Sequence, residues 1–166
     1  MKKFILIPLL LILTSCADMK LAQQAYMEKD YENAVWHWQK LSDFGIENAK
    51  VSLGRSYLRG QGVEKDIEKA KTLFEEAAIN NNKVAIFELA RLYEKGISVP
   101  QDGKKSAELY KKSGDLGYSR GYYYLAKLYE RGKVIDKDMR LAKSNYSKSL
   151  SLGYTRAKDD LKRLEE

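Results

Sequence analysis

The chain has one cysteine and one histidine among its 166 residues, and this limits the chemistry available to it. With Cys16 alone, neither an intramolecular disulfide nor a thiolate metal cluster can form. His37 aligns with Leu73, Leu109 and Asn145 at intervals of 36 residues, so we expect a partly buried structural histidine. No nucleophile paired with a base and no glycine-rich phosphate loop is present. The sequence therefore predicts a protein that is not an enzyme and that binds no metal or cofactor.

The position of Cys16 indicates a different use for its thiol. Lys2 and Lys3 precede an apolar run at 4–13, which is about half the length that a membrane-spanning helix needs and is typical of a secretory signal. The following residues, LTSC at 13–16, resemble a bacterial lipobox, in which an aliphatic and two small residues precede a lipidated cysteine. The alternative is an ordinary signal peptide that contains a chance cysteine.

The lipobox resemblance implies cleavage before Cys16, a diacylglyceryl thioether on its sulfur and an acyl chain such as palmitate on the new amine. Because two acyl chains already hold a protein stably at a membrane, three form a durable anchor. Ala17 rather than aspartate follows the cysteine, which in enteric-type bacteria resembles an outer-membrane address. We therefore expect a membrane lipoprotein that faces the periplasm, with a short tether from Ala17 to Lys20.

The remainder of the chain repeats at an interval of 36 residues. The repeating positions are Leu53, Leu89 and Leu125; Tyr57, Tyr93 and Tyr129; Gly60, Gly96 and Gly132; Asp66, Asp102 and Asp138; Phe74, Tyr110 and Tyr146; and Asn81, Gly117 and Gly153. Each unit reads as two helices: the first ends at a glycine in the left-handed conformation, and the aspartate caps the second. Small residues at Ala70, Ser106 and Ala142 let helices approach closely, so stability comes from stacking of neighbouring units.

These residues resemble the SEL-1-like repeat family, a tetratricopeptide type with a longer connecting loop. The resemblance covers 49–154 and is closest in LGRSYLRGQGVEKDIEKA at 53–70. It implies an all-α, right-handed solenoid of stacked antiparallel helix pairs. Gly62 becomes Ser98 and Val134 in the later units, so we expect those loops to differ in shape.

The chain is thereby divided into seven segments. They are a signal peptide at 1–15, the lipidated cysteine and tether at 16–20, a tetratricopeptide-like first unit at 21–48, SEL-1-like repeats at 49–84, 85–120 and 121–156, and a capping helix at 157–166. The first unit lacks the long loop. The last helix carries polar Lys162 and Glu165 where stacking residues would stand, so nothing is expected to pack on it.

A helical wheel of roughly 100° per residue predicts a partner-binding face opposite the packing columns of the first helix in each unit. This concave face consists of Arg55, Arg59, Phe87, Arg91, Lys95, Tyr123, Lys127 and Arg131, with Trp36, Tyr122 and Tyr124 as further candidates. One alternative is a solvated face that Glu88, Glu94 and Glu130 partly neutralise. For Trp36 the alternative is packing on the shortened first loop.

The net charge is +7; without Lys2 and Lys3, 28 basic residues remain against 23 acidic ones, which leaves +5. This excess favours a protein partner that is acidic at the contact surface, and the periplasmic address argues against nucleic acid. We expect a non-enzymatic interaction scaffold of the cell envelope without a small-molecule substrate. Two alternatives stay open: an immunity protein that neutralises a secreted toxin such as a phospholipase, and a binder of anionic glycans. A cysteine-rich branch of the family is credited with β-lactam hydrolysis, but its paired cysteines are absent here.

Overall fold

The computed structural model describes the backbone of residues 6–164 and the side chains of residues 17–164. Within this range the protein contains nine α-helices and no strand, which confirms the all-α fold class. The helices are α1 Leu6–Met27, α2 Tyr31–Asp43, α3 Glu47–Arg59, α4 Ile67–Ile79, α5 Lys83–Lys95, α6 Gly103–Asp115, α7 Ser119–Arg131, α8 Met139–Ser151 and α9 Arg156–Arg163. The chain divides into two compact units, residues 1–76 and residues 77–166.

The first unit is built on the antiparallel pair α1 and α2, with α3 packed against α2. Its core contains Ala22, Trp38, Leu41 and Leu53, each less than 5% exposed. A β-carbon at Gly54 would lie 2.7 Å from the ring of Phe74, which explains why α3 carries glycine at this position. Small residues on the facing helices therefore allow the close approach that the sequence pattern predicts.

The expected tether from Ala17 to Lys20 lies inside α1 and is part of the folded first unit. Asp18 accepts a hydrogen bond from Lys40 Nζ at 2.9 Å, and its other oxygen lies 3.1 Å from His37 Nδ1. The hydrogen bond from Lys40 is the main reason that the pKa of Asp18 falls below its usual range. His37 is only 8% exposed, so the histidine is the structural one that the repeat alignment predicts.

The second unit contains α5 to α9 and is rich in buried aromatic rings. Phe87, Tyr110, Tyr123 and Tyr146 are each no more than 3% exposed and belong to two adjoining clusters. Buried serines join neighbouring helices: Ser113 Oγ, for example, donates to the backbone carbonyl of Lys83 at 2.7 Å. The small residues of the second helix thus allow close approach and also supply hydrogen bonds across the helix pair.

The predicted helix ends are confirmed. Gly60, Gly96 and Gly132 follow α3, α5 and α7 with φ of 69°, 65° and 61°. The aspartates at 66, 102 and 138 each accept a hydrogen bond of 2.9 Å from a backbone N–H three residues later, at the start of α4, α6 and α8. The first helices begin two residues earlier than the sequence pattern predicts; in α5, Asn82 caps this extension by accepting from Val84 N at 3.0 Å.

Loss of the second loop glycine predicts a different loop shape, and the backbone at Val134 shows the difference whereas the backbone at Ser98 does not. Gly62 has φ of 72°, and Ser98 keeps this conformation with φ of 63°, whereas Val134 does not adopt positive φ. In the first unit, a β-carbon at Gly62 would collide with the carbonyl of Tyr31 at the start of α2. In the second unit, the equivalent loop residue is Val134, and the glycine is instead Gly103 at the start of α6, where a β-carbon would collide with the carbonyl of Val134. Both contacts therefore contain one glycine. In the first it is the loop residue, and in the second it is the residue at the helix start.

Candidate partner-binding surfaces

The aromatic residues of the predicted concave face are not exposed. Phe87 and Tyr123 are each 3% exposed, and their rings pack against Tyr118 and Tyr154 at centroid distances of 5.2 and 4.8 Å. The helical wheel places them correctly opposite the first packing face. However, in the second unit that opposite face is covered as well, by Tyr118 and Tyr124 over Phe87 and by Tyr154 over Tyr123, so α5 and α7 are packed on two sides. The prediction that these two rings contact a partner is therefore wrong.

The tyrosine run of α7 is also largely internal. Tyr122 is 9% exposed and its hydroxyl donates to Asp115, a hydrogen bond that raises the pKa of Tyr122 to about 12. Tyr124 is half-buried and stacks on Tyr110 at 5.8 Å. Trp36 is the aromatic candidate that stays accessible, with 59% of its surface exposed.

Arg55, Arg91 and Lys127 form one basic column of the predicted face, which we call the inner basic column. Arg91 and Lys127 form ion pairs within the fold. Arg91 Nη1 lies 2.9 Å from Glu88 Oε2, and Glu88 is 2% exposed, so the arginine compensates a buried carboxylate. Lys127 Nζ lies 3.2 Å from Asp160 Oδ1 in α9. Arg55 is half-buried in the first unit. Because Arg91 and Lys127 neutralise internal carboxylates, replacing them with glutamate would destabilise the fold as well as alter any contact surface.

The other basic column of the predicted face, which we call the outer basic column, is accessible to solvent. Arg59, Lys95 and Arg131 are exposed, and each is the last residue of its helix, where a positive charge also complements the helix dipole. Arg59 Nη1 donates to the hydroxyl of Tyr26 at 3.2 Å. Arg131 Nη1 lies 3.7 Å from Glu94 Oε1, and 54% of its side chain is exposed.

In each unit this outer column borders a cleft. The cleft of the first unit has a volume of about 210 Å³. It is lined by Gln23, Tyr26, Trp38, Ser52, Arg55, Ser56, Arg59 and Gln61. The cleft of the second unit, which we name the basic cleft, has a volume of about 450 Å³. It is lined by Glu94, Lys95, Gln101, Leu128, Arg131, Lys133 and Val134.

The basic cleft has a surplus of positive charge. Three cationic side chains line it, against Glu94 as the one lining carboxylate. Glu94 is already engaged, because it accepts a hydrogen bond of 2.6 Å from Tyr110. Lys133 was not identified from the sequence because it lies in a loop and aligns with Gln61 and Ile97. The change from uncharged to basic residues in this column is the signal that would have found it.

A second cleft of about 560 Å³ adjoins the basic cleft through Val134. Its lining includes the apolar side chains of Leu125, Tyr129 and Ile135. Basic and acidic side chains line it as well, among them Lys104 and Asp136, Glu108 and Lys111. We call it the apolar cleft.

Two kinds of site are absent from the part of the chain that the structure describes. No group of three or more histidine, cysteine or acidic side chains there is arranged to hold a metal ion. Over the same residues, no helix combines the length and apolar character that crossing a membrane requires. The lipobox-like segment and the Cys16 side chain lie outside the described side chains, so lipidation stays a prediction.

The helix pairs match a known repeat throughout. The Sel1 repeat matches residues 17–43, 48–82, 83–118 and 119–154. The chain belongs to the Sel1 repeat family. The first helix pair, for which the missing long loop predicts a tetratricopeptide-like unit, is thus a Sel1 repeat as well. The chain is therefore an all-α solenoid that contains four Sel1 repeats.

Solved structures support the same fold. A Sel1 repeat protein from Oxalobacter formigenes is 25% identical with a TM-score of 0.76, and the match covers 87% of this chain and 62% of that one. The uropathogenic Escherichia coli protective antigen c5321, which has an SLR fold, is 29% identical with a TM-score of 0.77, over 89% of this chain and 32% of that one. Helicobacter pylori cysteine-rich protein B shows the fold alone, at 23% identity, a TM-score of 0.61 and coverage of 80% and 95%. The chain thus spans less than two thirds of the first two proteins, and no curated protein sequence matches it.

Proposed function

We propose that this Sel1 protein is a non-enzymatic scaffold of the bacterial cell envelope that binds a protein partner through the basic cleft. The observation that carries the proposal is the convergence of Lys95, Arg131 and Lys133 around the apolar side chains of Leu128 and Val134. Each cation is exposed; Arg131 pairs with the lining carboxylate of Glu94 at 3.7 Å, and Lys95 and Lys133 supply the surplus charge. This combination suits an acidic residue of the partner.

The adjoining apolar cleft extends this preference. A partner segment with an acidic residue beside a large apolar residue would place the carboxylate among the cations and the apolar side chain near Leu125 and Ile135. Charged contacts at the rim would set orientation and association rate, and the buried apolar side chain would supply most of the affinity. The partner is therefore a protein with a short acidic and apolar segment, rather than a uniformly acidic surface.

The binding proposal is tested with a charge-reversal pair. The partner is captured from envelope extract, identified and purified, and its affinity is then measured for wild type and for the double variant Lys95→Glu with Lys133→Glu. We expect the affinity to fall by about tenfold or more, because two attractive charges become repulsive. The matched control is Lys112→Glu with Lys158→Glu, which reverses two exposed lysines outside both clefts. Equal affinities of wild type and the cleft variant, with unchanged melting temperatures, would exclude the basic cleft.

We further propose that acyl chains on Cys16 anchor the protein at the outer membrane. The support is the lipobox-like LTSC segment and the alanine that follows it. Replacing Cys16 with serine should abolish incorporation of labelled palmitate and release the protein from sedimented membranes. Ala17→Asp should keep the label but move the protein to the inner-membrane fraction, whereas Ala17→Ser should not. Palmitate on the Cys16→Ser protein would contradict the anchor.

A further inference from the structure

The first unit has two exposed aromatic side chains along α2 that are not part of its core, and we call this surface the α2 edge. Trp36 and Phe44 are 59% and 60% exposed, and Lys40 lies between them with its ammonium 5.6 Å from the Trp36 ring centre. Residues four apart share one side of a helix, so these three side chains form one strip across a shallow cleft. The Trp36 column is otherwise polar, with threonine, glutamate and serine at 72, 108 and 144. This aromatic residue is therefore peculiar to the first repeat.

The α2 edge lies beside the N-terminal part of α1. Lys40 is joined to Asp18 by the 2.9 Å ion pair, and Asp18 is two residues from Cys16. Because α1 and α2 run antiparallel, residues that precede Asp18 lie level with residues that follow Lys40, towards Phe44. At 1.5 Å of rise per residue, Trp36 and Phe44 each lie about 6 Å along the helix from Lys40. The edge therefore extends from the same end of the unit as the proposed anchor.

We propose that the α2 edge is a second membrane contact, in which Trp36 and Phe44 enter the interfacial layer of the bilayer that holds the Cys16 acyl chains. This inference rests on the proposed anchor. Tryptophan suits that layer because its ring is apolar while its N–H reaches water or headgroups. Acyl chains alone leave the folded part free to rotate, and two aromatic side chains on one strip would restrict it to one orientation.

The side chains of the strip favour insertion into the lipid interface rather than binding to anionic headgroups. Lys40 is the cation on the strip, and its ammonium already pairs with Asp18. The contact should therefore depend weakly on salt and on anionic lipid, unlike binding by a free basic patch. It should also form in vesicles that contain no second protein, which separates a membrane surface from a protein partner.

The test uses bromine-labelled lipids, which quench tryptophan on contact. The chain has two tryptophans, and Trp38 is 4% exposed in the core, so wild type and Trp36→Phe differ only in the accessible one. The lipidated protein is reconstituted in vesicles of phosphatidylethanolamine and phosphatidylglycerol with brominated acyl chains. We expect loss of most Trp36 emission at both low and high salt, and no quenching in the Trp36→Phe protein. Membrane-bound protein whose Trp36 emission is unquenched, or is quenched only when a protein partner is added, overturns the proposal.

A second arm separates this inference from the anchor. If the purified protein carries no acyl chains, the anchor proposal fails, and the free Cys16 thiol is coupled to a maleimide headgroup lipid in the same vesicles. Because Cys16 is the only cysteine, the coupling site is unambiguous. Quenching of Trp36 in this attached protein supports the membrane contact independently of natural lipidation, and its absence contradicts the contact.

Discussion

Among single residues, the tyrosine–glutamate pairs of the second unit show how one repeat position constrains another. Tyr110 donates to Glu94 at 2.6 Å and Tyr146 donates to Glu130 at 2.5 Å, the same pair 36 residues apart. Burial and the adjacent carboxylate raise the pKa of both phenols. The same two positions one repeat earlier are Phe74 and Leu58, which lack both the hydroxyl and the carboxylate. A buried hydroxyl and its acceptor are therefore present or absent together.

This pairing predicts a double-mutant cycle. Tyr110→Phe should lower the free energy of unfolding by about 1–2 kcal/mol because Glu94 loses its donor, and Glu94→Leu should cost a similar amount because the buried hydroxyl loses its acceptor. The double variant recreates the Phe74 and Leu58 combination and should cost clearly less than the sum. Urea unfolding measures all four proteins. Strictly additive losses would show that the pair is not coupled.

The buried phenols also predict sensitivity to alkali. The hydrogen bond to Asp115 raises the pKa of Tyr122 to about 12, and burial together with Asp160 raises that of Tyr123 to about 12. Their contribution to stability is full below the unfolded-state pKa of 10.0 and is lost as the pH rises towards 12. The melting temperature should fall over this interval. Replacing both tyrosines with phenylalanine should flatten the decline, and an unchanged pH dependence would contradict this assignment.

At the level of helices, α9 packs on the core through Ala157 and Leu161 and is also held by polar contacts. It has eight residues and buries Ala157 completely, while Asp160 accepts from the Tyr123 hydroxyl at 2.8 Å and from Lys127 at 3.2 Å. Arg163 donates to Glu130 at 2.6 Å. The polar Lys162 predicts a terminal helix, whereas Glu165 lies outside the described residues. The bond from Tyr123 to Asp160 joins residues 37 positions apart, and helical periodicity carries no information about it.

Asp160 and its neighbour Asp159 form a matched pair for testing this attachment. Asp160→Ala should cost about 1–3 kcal/mol, because the Tyr123 hydroxyl and Lys127 lose their acceptor, and should speed hydrogen exchange of the α9 amides. Asp159→Ala changes an exposed carboxylate and should leave both quantities near wild type. Equal exchange rates in the two variants would mean that Asp160 does not hold the helix.

Asp160 also predicts acid sensitivity of α9. Burial raises the pKa of this carboxyl, but hydrogen bonds from Tyr123, Arg163 and Lys127 outweigh burial and lower it below 3.8. Its contribution to stability is therefore complete above the unfolded-state pKa and is lost as the pH falls through the lower folded-state value. Exchange of the α9 amides, corrected for intrinsic rates, should accelerate below pH 3.8 in wild type. That added acceleration should be absent from Asp160→Ala.

For the whole chain, the repeat interval predicted the fold well and the binding face poorly. Residue types at Gly60 and Asp66 determine local backbone geometry, so the helix ends follow from the sequence. The exposure of Phe87 depends on the helix that packs on its second side, which a wheel drawn for one helix does not include. Lys133 becomes part of a cleft only because its loop folds over Leu128. The sequence therefore predicts local backbone geometry, but it does not predict surfaces that segments distant in the chain form together.

The proposed absence of catalysis is tested on the part of the chain that follows Ala17. Purified protein from Asp18 onwards should hydrolyse neither β-lactams, peptidoglycan nor phospholipids above background. The active-site constellations that such reactions use were not found in the sequence. Turnover that a single point substitution abolishes would overturn this prediction.

The different positions of the glycine in the Gly62 and Gly103 contacts matter for the design of proteins from averaged repeats. A consensus repeat chooses the commonest residue at each position independently, but the loop position and the helix-start position one repeat earlier meet at Gly62 and Tyr31 and again at Val134 and Gly103, and each of these two contacts contains one glycine. Averaging could place a bulky residue on both sides of the contact, or glycine on both sides, which adds chain entropy that folding must overcome. Idealised arrays of these units therefore require joint selection of the loop position and of the helix-start position one repeat earlier.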